Sequence, residues 1–284
     1  MSFLMNKMLR VAVGSDGGGG GGGATWNLLD ATYNGVNFDV SGEVWRPSGL
    51  AFKPDGTKMY VIGATDADVH QYTLSTTWDV DTASYDDVSF RVRVQEELPE
   101  ALAFKPDGTK MYVIGKDDAR LYQYTLSTEW DLSTASYDSV YGAFLGQIFW
   151  PTGVSFKYDG TEIYIIDAIT GGVHQWSLST AWDITSASTN NTFFSMATED
   201  AFLQDILVTP DGTKMYMMGR SSLAVYQYDM STPWDVSTAS YDDVSFDVSD
   251  ETTLRPRALA FRPDGFRMYT VGSVTKTVFQ YSVA

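Results

Sequence analysis

The chain has two histidines, His70 and His174, and no cysteine. A thiolate nucleophile, a disulfide and a thiolate metal site are therefore excluded, and a zinc site would need three or four ligands gathered around these two imidazoles. The histidines stand in "VHQY" and "VHQW", 104 residues apart, where the equivalent segments carry Tyr122, Tyr226 and Phe279. That alternation reads as an aromatic packing slot filled twice by imidazole. Serines are plentiful, but none lies in "GxSxG" and none has an assignable base. The acidic pairs Asp86/Asp87, Asp117/Asp118 and Asp242/Asp243 lack the spacing of an EF-hand loop. The residue types thus point to no catalytic or metal site and to no cofactor, and the chain is expected to be non-enzymatic.

The remaining polar candidates recur. Gln71, Gln123, Gln175, Gln227 and Gln280 occupy one position of a repeat, and Asp79, Asp131, Asp183 and Asp235, with Asn27, occupy another. A reaction assigns different roles to different residues, whereas five equal copies serve five equal geometric needs. The glutamines are expected to bond between strands or blades, and the aspartates to cap the following turn. Trp26, Trp78, Trp130, Trp182 and Trp234 keep a strict spacing of 52.

The element behind this spacing is "AFKPDGTKMYVIG", present verbatim at 51–63 and 103–115 and in altered form at 155–167, 207–219 and 260–272. A period near 50 belongs to propellers. In each unit "GLAF" is a first strand, "KPDG" a turn in which proline presets φ and glycine takes the left-handed position, and "TKMYVIG" a second strand. "VHQYTL" is a third strand, and "VSFRV" a fourth after the longer "STTWDVDTASYDD" excursion. The fifth unit stops at "FQYSVA", while residues 26–40 match 78–92. The expected fold is all-β: a five-bladed β-propeller of four-stranded antiparallel blades, closed by an N-terminal strand that completes the C-terminal blade and hides both edges. It divides the chain into an arm, 1–25, and a propeller, 26–284.

A net charge of -17 disfavours nucleic acid, whose phosphates reward basic side chains. No apolar run reaches the ~20 residues that span a bilayer, so no membrane insertion is expected. The opening segment lacks the pattern of a signal peptide. The arm is apolar and slightly basic, and seven glycines at 17–23 tether it to the ring. Phe3, Leu4, Met5, Met8 and Leu9 are its candidate anchor. Copying fails most in the third and fourth units, where Phe149, Trp150, Phe193 and Phe194 replace charged or small residues and form a candidate binding face. Arg46, Arg91, Arg93, Arg255 and Arg257 also break the repeat, either pairing with the acidic excess or lining one mouth of the ring.

The "FKPDGTKMYVIG...VHQY" pattern resembles the "YVTN"-like propeller repeats, a group of binding modules, lactonases and antibiotic-ring lyases. The longer unit "QYTLSTxWDVSTASYDxVSF", with the N-terminal polyglycine tract, is similar to minor structural (tail or capsid-associated) proteins of marine tailed phages. That resemblance implies a virion location, other virion structural proteins as partners through residues 1–25, and a role in host attachment or particle decoration through a glycan or surface protein. The alternatives are a glycan- or protein-binding propeller outside a virion and a metal-dependent lactonase or lyase at the ring mouth. The enzymes of the group depend on lone catalytic side chains around the channel, and the repeated Gln and Asp do not match them.

Overall fold

The computed structural model describes residues 26–284 apart from 145, 253, 254 and 284. Five separate four-stranded antiparallel sheets form it. The first blade contains β2 (Pro47–Phe52), β3 (Lys58–Gly63), β4 (Asp68–Leu74) and β5 (Ala83–Arg91), and the second β6 (Pro99–Phe104), β7 (Lys110–Gly115), β8 (Arg120–Leu126) and β9 (Ala135–Ala143). The third contains β10 (Pro151–Phe156), β11 (Glu162–Asp167), β12 (Gly172–Leu178) and β13 (Ala187–Ser195), and the fourth β14 (Leu203–Val208), β15 (Lys214–Gly219), β16 (Ala224–Met230) and β17 (Ala239–Asp247). The fifth runs β18 (Pro256–Phe261), β19 (Arg267–Gly272), β20 (Thr277–Ser282) and then β1 (Thr32–Asp39) from the other end of the chain. The first strand of every blade meets its counterparts on both sides, β2 against β6 and β18, so these five line a central channel.

The expectation of a ring closed by the N-terminal strand is corrected. No sheet among the described residues is closed by hydrogen bonds: β1 pairs with β20 from Thr32↔Ser282 to Asp39↔Thr277, but that blade stays open, with β1 and β18 as its edges. The reason is geometric. Blades stack face to face, so each ladder runs within a blade and the joints between blades are made by side chains. Five buried apolar clusters fill the five joints. One of them sets Val61, Tyr72 and Trp78 of the first blade against Ala258, Tyr269 and Val271 of the fifth.

The repeated residues act at these joints. In each unit the turn glycine has positive φ, +74° at Gly56, and the tryptophan ring lies where a Cβ would be, 2.3 Å away for Trp78. The tryptophan carbonyl then accepts from a tyrosine of the preceding blade: Tyr60 to Trp130 (2.6 Å), Tyr112 to Trp182 (2.9 Å), Tyr164 to Trp234 (3.0 Å), Tyr216 to Trp26, and Tyr269 to Trp78 (2.8 Å). The glutamines add a second tie. Oε1 of Gln71, Gln175, Gln227 and Gln280 accepts from Leu132, Val236, Leu28 and Val80 of the next blade at 2.9–3.2 Å. Oε1 of Gln123 has no partner among the described residues, although its Nε2 donates to Asp138 at 2.7 Å. The aspartates that follow the tryptophans cap one-turn 3-10 helices, Asp79 accepting from the Asp81 amide at 3.3 Å.

The fourth strand departs from the expected "VSFRV". It starts earlier, at Ala83, and passes through a β-bulge at Asp86 and Asp87, the latter with φ 56°. The bulge aims Asp86 at Gln71 Nε2 (2.8 Å) and Lys58 Nζ (3.0 Å), which is why a polar "YDD" lies inside a strand. No helix among the described residues is long and apolar enough to cross a membrane.

Candidate functional site

Every channel-lining strand carries a register shift after its first residue, so its second residue is extra to the ladder: Ser48, Glu100, Thr152, Gln204 and Arg257. A bulge re-aims a side chain, and here it forms a ring of five different polar groups, one per blade, none more than 4% exposed. Ser48 Oγ donates to the Pro99 carbonyl (2.8 Å) and Thr152 Oγ1 to the Leu203 carbonyl (3.0 Å), each in the next blade. Glu100 accepts from Lys116 Nζ through one oxygen and from Arg257 Nη1 through the other, both at 2.8 Å. Because the first blade lies between the second and the fifth, the Glu100–Arg257 bridge crosses the channel. Among the described residues, Arg257 Nε has no partner.

Above this ring is a cavity of about 100 Å³, lined by Arg46, Glu100, Lys116, Trp150, Thr152, Ala168, Ile169, Phe202, Gln204, Arg220 and Arg257. Burial lowers Arg257 to about 10; Glu100 opposes the shift, and Arg46, Arg220 and Arg255 add to it. Arg220 is lowered by burial and then by Arg255 and Arg46. Four guanidiniums are therefore within electrostatic reach of one another, in a chain with 36 acidic and 19 basic residues. Among the described residues, neither Arg46 nor Arg220 makes a side-chain hydrogen bond or ion pair.

Buried carboxylates hold the loops of this mouth. Asp167 accepts from the amides of Trp150 (2.9 Å), Ile169 (3.0 Å) and Phe149 (3.1 Å), and Asp200 from Phe202 (2.6 Å) and Ser222 (2.7 Å). Glu96 accepts from the Leu98 amide at 2.9 Å, and burial raises it to about 7. They present Trp150, Phe202 and Ile169, all exposed, around the guanidiniums, and Lys116 Nζ lies 5.1 Å from the Trp150 ring centre.

Below the ring the channel turns apolar, a 260 Å³ space walled by Leu50, Leu102, Val154, Ile206 and Leu259, among others. Asp205 is the lone acid in that wall. It accepts from the amides of Leu259 (2.8 Å) and Ile206 (2.9 Å), and burial still raises it to about 7. The opposite mouth is apolar, with Pro54, Pro106, Pro210, Pro263, Tyr158 and Trp26 around a 330 Å³ hollow.

The residues singled out in the sequence separate. Trp150 reaches the charged mouth and Phe149 is exposed beside it. Phe193 and Phe194 lie on β13, the outer strand of the third blade, where Phe193 packs on His174 (4.7 Å between ring centres) and Phe194 on Tyr228 (5.7 Å). The four do not make one face. Arg46, Arg255 and Arg257 belong to the mouth, whereas Arg91 pairs with Asp68 (3.2 Å) and Arg93 donates to the Thr65 carbonyl. His70 bonds Asp66 (3.1 Å) and His174 Thr170 (3.0 Å), in different blades. Among the described residues no group of three His, Asp or Glu is placed to hold a metal ion. The anchor candidates Phe3, Leu4, Met5, Met8 and Leu9 lie outside the described residues. Sequence reading overlooked Ser48, Glu100, Thr152 and Gln204. Their signal is a repeat column holding five different polar residues, two positions ahead of a strand segment that reads "LAF" in three units and "VSF" and "ILV" in the other two.

No family model and no curated protein matches the chain. Among solved structures it is similar to a functionally unknown protein from Desulfotomaculum acetoxidans, at 11% identity and a TM-score of 0.48, covering 80% of this chain and 62% of that one. It is also similar to a putative 6-phosphogluconolactonase from Bacteroides uniformis, at 12% identity and a TM-score of 0.48, covering 84% and 68%. The five-bladed propeller assignment rests on this chain's own sheet topology.

Proposed function

We propose that this chain is a non-enzymatic display module: a virion structural protein that holds its propeller on the arm of residues 1–25 and turns the charged channel mouth away from the particle. The observation that carries this reading is the position of Trp26. It is the first described residue after the arm, and it lines the apolar mouth, opposite the arginines. An arm anchored in an assembly would leave that side nearest the particle. The similarity of the repeat and polyglycine tract to phage structural proteins supports the virion setting, and the apolar composition of residues 1–25 supports their role as anchor. The differentiated ring supports recognition at the far mouth, because variation is concentrated there while the joints stay repeated. Against catalysis stands the use of Glu100, the one carboxylate of the ring, whose two oxygens are both committed to cations.

Incorporation tests the reading. Chain lacking residues 1–25 is expected to fold with an unchanged thermal transition yet fail to co-purify with particles that retain the full-length chain. Incorporation of the truncated chain at the full-length level would overturn it.

A further inference from the structure

We infer that the arginine-lined mouth binds an acidic sugar, taking its carboxylate or phosphoryl group on Arg46 and Arg220 and its ring on Trp150. Three observations meet at this place. The first is unspent hydrogen-bonding capacity: among the described residues the guanidiniums of Arg46 and Arg220 make no hydrogen bond or ion pair, and the buried Arg257 keeps Nε unpartnered. A guanidinium offers planar paired donors matched to a carboxylate or phosphate, and a protein with this acidic excess had ample material to neutralise them internally. The second is the cavity. Its volume of about 100 Å³ admits an acidic group with a few further atoms, so the remainder of the ligand must lie across the rim. The third is the rim itself, where Trp150 and Phe202 are exposed while buried Asp167 and Asp200 clamp their backbone amides. Flat apolar surface beside fixed polar donors is how small-ligand sites combine burial with orientation. Gln204 and Thr152, both lining the cavity, would form its floor beneath the acidic group.

This inference does not depend on the arm, so it fails or stands separately from particle incorporation. Isothermal titration of the full chain at low salt would compare glucuronate, glucose 6-phosphate, glucose and inorganic phosphate. The expected result is that at least one acidic sugar binds tenfold or more tightly than glucose and than inorganic phosphate, and the better of the two acids identifies the acidic group. Arg46→Gln with Arg220→Gln should reduce that affinity at least tenfold while leaving the thermal transition in place, since neither side chain is paired among the described residues. Arg46→Lys with Arg220→Lys, which preserves charge, should weaken binding less and serves as the folded control if the glutamine pair is unstable. Trp150→Ala should weaken the acidic sugar without changing the affinity for phosphate. Equal binding of glucose, equal binding of inorganic phosphate, retained affinity in the glutamine variant, or no binding of either acid at millimolar concentration would overturn the inference.

Discussion

Glu100 and Arg257 are the residues on which the channel mouth turns. Burying opposite charges is costly unless each is bonded, and here the carboxylate has two cations while the guanidinium has one carboxylate and an idle Nε. Glu100→Gln should therefore destabilise by about 3–5 kcal/mol in urea unfolding. Adding Arg257→Met should recover much of that loss, because the orphaned charge is then gone; no recovery would mean that the bridge is not what the loss measures. Asp205 gives a pH signature of its own. Its folded value is raised to about 7 against about 3.9 in an unfolded chain, so the folded state holds the proton more tightly. Its contribution is greatest below pH 4 and is lost as pH climbs to 7, a change of about 4 kcal/mol. Asparagine does not titrate, so the stability of the native chain minus that of Asp205→Asn should fall across pH 4–7 and flatten above. A constant difference would contradict this. Glu96 titrates in both chains and cancels in that comparison.

At the scale of elements, the turn and the bulge do most of the placing. Gly56 and Gly35 both have positive φ, +74° and +81°, but a Cβ at Gly56 would lie 2.3 Å from Trp78, and one at Gly35 meets nothing within 4 Å. Gly35→Ala should cost the backbone strain alone, about 1–2 kcal/mol, and Gly56→Ala about 2–5 kcal/mol because it also displaces the tryptophan. Equal losses in chemical denaturation would refute the stacking role. Strand pattern, turns and blade count were legible in the sequence because each rests on local alternation and on "PDG" repeated in register. The fourth strand was misjudged because Asp86 and Asp87 resemble a loop until their bulge, and the partners Gln71 and Lys58 that satisfy Asp86, are seen. The polar ring escaped because no residue in it is unusual by type. Only the column comparison, Ser48 against Glu100 against Arg257, marks it.

The whole molecule is a ring of open sheets held at five similar joints, with its two channel ends made different. Residues 26–40 were recognisable as a missing fourth strand by their match to 78–92, but the absence of hydrogen-bonded closure follows from how blades stack, which no spacing reveals. Trp26 ties β15 of the fourth blade through the Tyr216 hydroxyl, and β1 covers β20. Removing residues 1–25 should preserve cooperative unfolding, whereas removing 1–39 should expose the edge of β20 and broaden or abolish the thermal transition. The proposed orientation, with the arginine mouth facing outward from an arm-held propeller, can be read by labelling. The chain has no native cysteine, so Ile169→Cys at the charged mouth and Tyr158→Cys at the apolar mouth, whose native side chains are 61% and 67% exposed, can each report on one end. On assembled particles, maleimide should modify the cysteine at 169 as fast as in the free protein and the one at 158 much more slowly. Shielding of position 169 with free access to 158, or equal access to both, would overturn that orientation.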